Sequence, residues 1–277
     1  MSNYCGMNDL YRKMMSSYKL TTDRDVRTAR YKAGQEIILS GLYHGGFFDT
    51  AAFCGGSCLR VFHGLERFSE DMDFCLMESD DGFDFSKFVK HIMDEFALVG
   101  REVEVKEKAC RGRQAVGTMD GMIVYEVLSL YDKPQKIRVE INTKPAVRFE
   151  TELRLAIQPR SYLVRCMALP DLFASKTHAL LLRTWGGRAK GRDWYDFEWF
   201  VKNNVPLHYE HLSEKVKSES GELLTKEGIK EMLNERIGKT SIEQVRQDLA
   251  PFVNAESGAG LWSAAYFREL VKCIRWV

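Results

Sequence analysis

Hydrophobic residues in the first 165 positions follow two periods, one typical of helices and one typical of strands. Apolar residues recur at helical spacing from 26 to 42, after the capping candidates Thr22 and Asp23 and before the pair Gly45-Gly46, which predicts a helix. The same spacing recurs from 88 to 98 and predicts a second helix.

Alternation of apolar and polar residues predicts several short strands around these helices. The strands are expected within 47–54 and at 71–77, 102–108, 122–130 and 136–141. The alternation is clean in the last of them, where Ile137, Val139 and Ile141 share one face. Strands interleaved with helices predict an α/β (α+β) lobe built on a mixed β-sheet.

The pattern changes after Leu169-Pro170, where helical spacing dominates to the end of the chain. Six helices are expected, at about 170–184, 192–203, 207–218, 225–237, 241–253 and 262–274. The sequence therefore predicts two domains, a sheet domain with an N-terminal helix at 1–165 and an α-helical domain at 166–277.

The amino-acid composition limits which partners and which kinds of site the protein can have. Of the 277 residues, 45% are hydrophobic and 29% are charged, as in ordinary soluble proteins. The 40 basic and 39 acidic residues leave a net charge of +1, so nucleic acid can bind only through a local basic patch. The 7 cysteines lack paired spacing, which argues against a disulfide framework or a zinc site. Without a long apolar run or a signal pattern, the sequence predicts a cytoplasmic protein with no membrane partner.

Two carboxylates lie one residue apart in the strand predicted at 71–77. Side chains at i and i+2 of a strand point the same way, so Asp71 and Asp73 converge on one volume. A hard divalent cation, Mg²⁺ or Mn²⁺, would relieve their repulsion and bind substrate phosphates. Glu140 adds a third carboxylate on another strand, beside Arg138. On spacing alone, polar surface and a surface ion pair are the commoner meanings of such acids.

Upstream of these acids, Gly55-Gly56-Ser57 opens a short helical segment predicted at 57–62. Glycines let a ligand approach the backbone closely, and N–H groups at a helix start bind phosphate. The Ser57 hydroxyl can add a further donor. Taken alone, the motif is more typical of a tight turn that Ser57 caps.

The stretch from Gly55 to Phe74 resembles the signature of the AbiEii/AbiGii-type nucleotidyltransferase toxins, within the polymerase-beta-like nucleotidyltransferase superfamily. The matching residues are Gly55, Gly56, Ser57, Leu59, His63, Gly64, Arg67, Ser69, Asp71, Asp73 and Phe74. Three later motifs match in order: Arg138-Val139-Glu140, Asp171 with Lys176, and Arg192-Asp193 with Asp196. His63 replaces an aromatic residue of the pattern, and Glu140 stands where aspartate is usual.

The resemblance implies a metal-dependent nucleotidyltransferase that moves a nucleoside monophosphate from a nucleoside triphosphate to an acceptor hydroxyl. The implied metal ligands for Mg²⁺ or Mn²⁺ are Asp71, Asp73 and Glu140, and the implied catalytic residues are Asp71, Asp73, Lys176 and Asp193. The implied nucleotide-binding residues are Gly55, Gly56, Ser57, Arg67, Ser69 and Lys176, of which Arg67 and Ser69 contact the triphosphate or position the loop.

The resemblance also implies partners. These are the nucleoside triphosphate, an RNA acceptor such as the tRNA 3′ end, and a cognate antitoxin of a type IV toxin–antitoxin system. Two alternatives stay open. The acceptor hydroxyl could belong to a protein or to a small molecule such as an antibiotic, and the chain could bind nucleotide without turnover.

Lys176 lies in a largely apolar helix, where a buried lysine needs an anionic partner. The sequence offers Asp171, Asp193 and Asp196, or a nucleotide phosphate, which the resemblance favours. A basic cluster around Gly186-Gly187 could bind an RNA backbone or form a solvated loop. The cluster consists of Arg183, Arg188, Lys190 and Arg192, and the aromatic residues after it, Trp194, Phe197, Trp199 and Phe200, are expected to be helix core.

Overall fold

The computed structural model describes residues 9–18, 20–108, 122–129, 135–182, 190–254 and 258–277. The helices of this part are α1 (Asp9–Ser16), α2 (Asp23–His44), α3 (Gly55–Phe62), α4 (Ser86–Leu98), α5 (Leu169–Leu182), α6 (Gly191–Lys202), α7 (Tyr209–Ser220), α8 (Lys226–Lys239), α9 (Ile242–Leu249) and α10 (Ala264–Lys272). The strands are β1 (Ala51–Cys54), β2 (Met72–Leu76), β3 (Val103–Lys108), β4 (Met122–Ser129), β5 (Lys136–Asn142), β6 (Thr151–Ala156) and β7 (Tyr162–Met167).

The described strands form one mixed sheet in the order β3-β4-β5-β2-β1-β7-β6, which confirms the predicted fold class. Strand β2 pairs antiparallel with β1 and parallel with β5, and β1 pairs parallel with β7. Helix α2 packs against α4, β5 and β7. The Tyr162 hydroxyl of β7 donates to the Glu36 carbonyl of α2 at 2.7 Å, so Tyr162 lies on the face of the sheet that α2 covers. Asp73 and Glu140 point to the opposite face.

Helix α2 forms where the sequence predicts it, and a capping box fixes its start. The Thr22 hydroxyl accepts from the Asp25 N–H at 3.1 Å, and the Asp25 carboxylate accepts from the Thr22 N–H at 2.9 Å. This reciprocal pair satisfies donors that a helix start leaves open. Gly41 allows α4 to approach closely, since a Cβ atom there would lie 2.7 Å from the Ile92 Cα.

Three elements were not predicted: α1, β6 and β7. Strands β6 and β7 pair antiparallel, with Leu155 opposite Leu163. Tyr162 and Val164 of β7 are buried on the α2 side, yet Leu163 between them is also apolar and 44% exposed. Because apolar side chains occupy both faces of β7, the period of two that identifies a strand is hidden there. Strand β6 does alternate from Glu152 to Leu155, but its apolar face is exposed.

All described strands end by Met167, and α5 to α10 follow, with ends shifted by a few residues from those expected. Helix α9 is shorter than expected, because Pro251 lies in a 3₁₀ turn, Ala250–Phe252, that follows it directly. Three of the four predicted aromatic core residues of α6 are buried, since Trp194, Phe197 and Phe200 are at most 1% exposed, whereas Trp199 is only partly buried. The division into domains at 1–165 and 166–277 stays a prediction.

Other sequence predictions concern the cysteines and a turn. The five described cysteines, Cys54, Cys58, Cys75, Cys166 and Cys273, are all free thiols. Cys58 and Cys166 are fully buried, as expected of small core residues. Cys5, Cys110 and the turn expected at 132–134 lie outside the described residues. Within the described ranges, no helix combines the length and apolar character needed to cross a membrane.

Candidate active site

Two carboxylates, those of Asp73 and Glu140, share the open face of the sheet, and Asp71 lies directly before it. Asp73 of β2 is the register partner of Glu140 on the parallel strand β5, and of Cys54 on the antiparallel strand β1. Asp71 precedes β2 by one residue and lies two positions before Asp73. Burial raises the pKa of Glu140, and the charges of Asp73 and Asp71 raise it further. The three acids are therefore close enough to repel one another.

Arg138 offsets part of this repulsion from the same strand face. Its Nη1 lies 3.4 Å from Glu140 Oε1 and lowers the pKa of that carboxyl, though not enough to cancel the rise. Among the described residues, no three His, Cys, Asp or Glu side chains converge closely enough to enclose a metal ion. The excess negative charge is nevertheless what a hard divalent cation would neutralise, so the residues fit such an ion.

Helix α3 begins directly after β1, and its first two residues must be glycine. Gly55 has a φ of +72°, and a Cβ atom there would lie 2.0 Å from Asp73 Oδ2. A Cβ atom on Gly56 would lie 2.5 Å from Arg67 Nη2 and 2.9 Å from Ser69 Oγ. The N-cap residue, Cys54, makes no side-chain hydrogen bond to the helix start. The first turn of α3 therefore lies against the carboxylates with its N–H groups uncapped by that side chain.

Ser57 is fully buried, and its hydroxyl shapes the loop that carries the acids. The hydroxyl donates to the Asp71 carbonyl and accepts from Gln35 Nε2 at 3.2 Å. Gln35 also donates to the carbonyls of Ser69 at 3.1 Å and Glu70 at 3.2 Å. The hydroxyl hydrogen of Ser57 is thus used within the protein. Gln35 was missed, although a glutamine among the apolar residues of a predicted helix is a usable signal.

Arg67 and Lys176 meet at one carboxylate, that of Asp196. Arg67 Nε lies 2.5 Å from Asp196 Oδ1, and its Nη2 lies 2.7 Å from Oδ2. Lys176 Nζ lies 2.9 Å from the same Oδ2. Burial alone would raise the pKa of Asp196, but Arg67 and Lys176 outweigh it and hold that pKa at about 2. The carboxylate is fully buried and ionised.

This cluster identifies the partner of Lys176 among the three candidates. Asp171 instead pairs with His208, at 2.5 Å between Oδ1 and Nδ1. Asp193 is 3% exposed and borders a small cavity that Lys190 and Arg236 also line. Its catalytic role stays a prediction, while the contact with Lys176 belongs to Asp196, which lies one helical turn further along α6.

Lys215 of α7, which the sequence does not single out, donates to the Ser175 hydroxyl at 3.2 Å and affects the thiol of Cys54. Burial raises the pKa of the Cys54 thiol, and Asp73 raises it further, whereas Lys215 and Lys176 both lower it. Two ammonium groups therefore act on the residue opposite Asp73 in the sheet. Within a polar surface-like helix, a single lysine carries no signal that could have identified it.

The remaining residues that the sequence predicts for the site are Ser69 and the basic cluster. Ser69 is 5% exposed, with its Oγ close to Gly56. In the basic cluster, Arg183 and Arg188 lie outside the described residues. The Arg192 guanidinium lies 4.3 Å from the centre of the Phe252 ring. The RNA-binding role of the cluster stays a prediction.

Comparison with known proteins identifies a family and a shared fold. The family described as "Nucleotidyl transferase AbiEii toxin, Type IV TA system" matches residues 37–271. MenT4, a nucleotidyltransferase toxin from Mycobacterium tuberculosis H37Rv, is similar in structure, with 17% identity, a TM-score of 0.54, and coverage of 95% of this chain and 88% of that one. JHP933 from Helicobacter pylori is similar with 15% identity, a TM-score of 0.51 and coverage of 91% and 92%. These two likenesses concern the fold. No curated protein matches the sequence.

Proposed function

Because the chain belongs to the AbiEii family of nucleotidyl transferase toxins of type IV toxin–antitoxin systems, we propose that it moves a nucleoside monophosphate from a nucleoside triphosphate to an acceptor hydroxyl. The observation that carries the proposal is the alignment of Asp73 with Glu140 in the sheet, directly beside the start of α3. Acids that bind metal and backbone donors that bind phosphate then lie side by side.

Asp71, Asp73 and Glu140 would hold Mg²⁺ or Mn²⁺ at the open face. When bound, the metal neutralises charge on the triphosphate and on the leaving pyrophosphate. The register of Asp73 with Glu140 supports this assignment. Burial raises the pKa of Glu140, and the charges of Asp73 and Asp71 add to that rise. Arg138 lies on the same strand face and pairs with Glu140 at 3.4 Å.

The N–H groups of Gly55, Gly56 and Ser57 would bind the phosphates at the positive end of α3. The Ser57 hydroxyl is assigned instead to fixing the Asp71 carbonyl, which it contacts. Lys176, with a side chain that is 17% exposed, is assigned to the triphosphate. Arg67 is only 2% exposed and bound to Asp196, which favours loop positioning over phosphate contact.

In the proposed reaction the acceptor oxygen attacks the α-phosphorus and releases its proton. The bond between the α-phosphorus and the bridging oxygen breaks, and pyrophosphate leaves. Catalysis would come from positioning and charge neutralisation rather than from a covalent intermediate with the protein. Asp196 would keep Lys176 oriented throughout the reaction. Asp193, on the same helix, stays a proposed catalytic residue.

The acceptor we propose is RNA, in particular the tRNA 3′ end, with a protein or small-molecule hydroxyl as the alternative. The test incubates purified protein with each α-labelled nucleoside triphosphate, Mg²⁺ or Mn²⁺, and total tRNA, beside the variant Asp71→Asn. Label on tRNA that disappears in the variant is the expected result. Label on protein or drug alone would support the alternative, and no transfer to any acceptor would contradict the proposed activity.

The proposed protein partner is a cognate antitoxin. Co-expression with the product of the adjacent reading frame is expected to restore growth of cells that produce this chain. Growth inhibition that the neighbouring product leaves unchanged would contradict this partner without affecting the proposed chemistry.

A further inference from the structure

The described sheet has two edge strands, β3 and β6, and their side chains differ in kind. Four of the six residues of β3 are charged: Glu104, Lys106, Glu107 and Lys108. Charged residues on an edge strand prevent it from pairing with another chain. Strand β6 instead exposes Leu153 and Leu155, at 56% and 60%, and contains no proline. Its edge therefore lacks the usual protection.

The exposed leucines of β6 belong to an apolar patch that continues onto β7. Tyr162 and Val164 of β7 point to the α2 side, so Leu163 between them points to the open face, as does its register partner Leu155. Leu153 lies two residues before Leu155 and shares that face. The register of β1 with β2 and β7 shows that this is also the face of the acids. The patch therefore lies on the same face as the candidate active site, at the β6 edge.

The backbone of β6 has donors and acceptors that point away from the sheet. Directly before β6, the Ala168 N–H donates to the Glu150 carbonyl at 2.8 Å. Because hydrogen-bonded pairs alternate along an antiparallel ladder, Glu152 and Arg154 direct their N–H and C=O groups to β7. Leu153 between them directs its own N–H and C=O groups to the other side, where no other described strand lies.

The charges of β6 make this edge complementary to a second copy of itself. Arg154 Nε and Nη2 donate to Glu152 Oε1 at 2.9 and 2.7 Å, so both side chains lie on one face. In an antiparallel pair centred on Leu153, Glu152 of each copy lies opposite Arg154 of the other. Moving the centre by one residue would bring together two Glu152 or two Arg154 side chains, which is unfavourable. The charges therefore favour one register and a copy of this chain as the partner.

We propose that two copies of this chain pair through β6, antiparallel and centred on Leu153, to form a dimer with one continuous sheet. The two Leu153 residues would exchange backbone hydrogen bonds, and Leu155 of each copy would face Thr151 of the other. The two-fold axis is perpendicular to the sheet, so both candidate active sites open on the same side of the dimer. This inference goes beyond the proposed function and does not depend on nucleotidyl transfer.

The test is sedimentation velocity of the purified full chain across the micromolar range, without nucleotide. Wild-type protein is expected to form a dimer. Leu153→Lys is expected to weaken the dimer about 10- to 100-fold, because two ammonium groups would lie opposite each other at the two-fold axis. Leu223→Lys is the matched control and is expected to leave the dimer unchanged, because Leu223 is 60% exposed but lies between α7 and α8.

Charge reversal tests the register. Glu152→Arg leaves arginine at both positions of the pair, and Arg154→Glu leaves glutamate at both. Each variant alone is expected to dimerise about 10- to 100-fold more weakly than wild-type protein. Mixed in equal amounts, the two are expected to form a heterodimer, because the arginines of one chain then face the glutamates of the other. The double variant, with Glu152→Arg and Arg154→Glu, is expected to dimerise as wild-type protein does.

Several results would overturn the proposal. One is a wild-type chain that stays monomeric, and another is a folded Leu153→Lys that dimerises as tightly as wild-type protein. Should Leu153→Lys fail to fold, the mixture of Glu152→Arg with Arg154→Glu decides, and a monomeric mixture rejects the pairing. If the wild-type monomer binds the product of the adjacent reading frame and Leu153→Lys does not, β6 pairs with that protein and the dimer is rejected. A dimer without transfer activity would contradict only the proposed function.

Discussion

Arg67 and Asp196 are joined by two parallel hydrogen bonds although 129 residues separate them in the chain. The pair is almost completely buried, with side chains 2% and 0% exposed. It connects the loop before β2 to α6, and the same carboxylate holds Lys176 of α5. One buried acid thus fixes the loop that carries the metal-binding aspartates relative to the lysine proposed to bind the nucleotide.

Replacing Asp196 by asparagine should destabilise the protein strongly. The change leaves the Arg67 guanidinium buried without its counter-charge, which typically costs about 3–5 kcal/mol. Urea unfolding measures the difference in free energy. Glu235→Gln is the control, because it breaks only the exposed pair with Lys239 and should change stability by less than about 1 kcal/mol. Equal stability of the two variants would show that the buried pair has no structural role.

Gly55→Ala should abolish transfer, because the new methyl group would displace the Asp73 carboxylate. The Cβ atom would lie 2.0 Å from Asp73 Oδ2. Gly64→Ala separates this effect from backbone strain, since Gly64 also has a positive φ, +77°, but nothing within 4 Å of its Cβ position. Both variants should lose about 1–2 kcal/mol of stability from the left-handed backbone. Only Gly55→Ala should lose activity, and similar activity in the two would contradict the contact with Asp73.

The sequence could predict one half of the candidate site because that half is local. The period of a strand predicts that Asp71 and Asp73 share one face. The register of β2 with β5 places Asp73 beside Glu140, while Asp71 lies one residue before the strand. Gly55 was assigned to close approach from its residue type alone, and the contact with Asp73 shows what approaches it. Such inferences need only the geometry of one element and its neighbour.

The other half depends on packing between distant parts of the chain. Arg67 was expected near a triphosphate or as a loop-positioning residue, and only the position of α6 reveals that it binds Asp196. Lys215 belongs to a helix rich in charged residues, so its orientation follows solely from the packing of α7 on α5. Strand β7 has no period of two, because Leu163 is apolar yet exposed between the buried Tyr162 and Val164. Periodicity cannot report such tertiary relationships.

Stability should fall as the pH is lowered from about 6.5 to about 4, and His211 should account for part of the loss. Its pKa in the folded protein is lowered from 6.5 to about 4, first by burial. The unfolded chain therefore binds a proton in this range that the folded chain does not, which favours unfolding by up to about 1.4 kcal/mol per pH unit. Urea unfolding from pH 4 to 7 should show that the free energy of unfolding depends less steeply on pH in His211→Gln than in wild-type protein.

Asp196 provides the contrast to His211. Its pKa is lowered to about 2, so its stabilising contribution is complete above about pH 4 and is lost only as the pH falls towards 2. Between pH 4 and 6.5, the free energy of unfolding should therefore change with pH equally steeply in Asp196→Asn and in wild-type protein, even though the variant is less stable throughout. Identical slopes in His211→Gln and wild-type protein would contradict the buried neutral histidine.

Asp71→Ala and Lys176→Ala should each abolish transfer and any growth inhibition on expression. The first removes a proposed metal ligand, and the second removes the ammonium group that Asp196 holds at 2.9 Å. Lys202→Ala is a suitable control, because Lys202 pairs with Glu198 at 2.7 Å on α6 without a proposed role in the site. Wild-type activity in either Asp71→Ala or Lys176→Ala would disprove the corresponding site assignment.

Glu140→Gln should weaken metal binding while leaving the fold intact. The amide keeps the size of the side chain and can still accept a hydrogen bond from Arg138, but it removes one negative charge from the group formed with Asp73 and Asp71. We expect Mn²⁺ affinity to fall about 10- to 100-fold, as for loss of one anionic ligand contact. Electron paramagnetic resonance of Mn²⁺ measures this directly, with Glu104→Gln on the edge strand β3 as the control, since Glu104 pairs with Lys106 at 2.8 Å. Equal Mn²⁺ affinity in the two variants would remove Glu140 from the metal site and leave Asp71 and Asp73 as its proposed ligands.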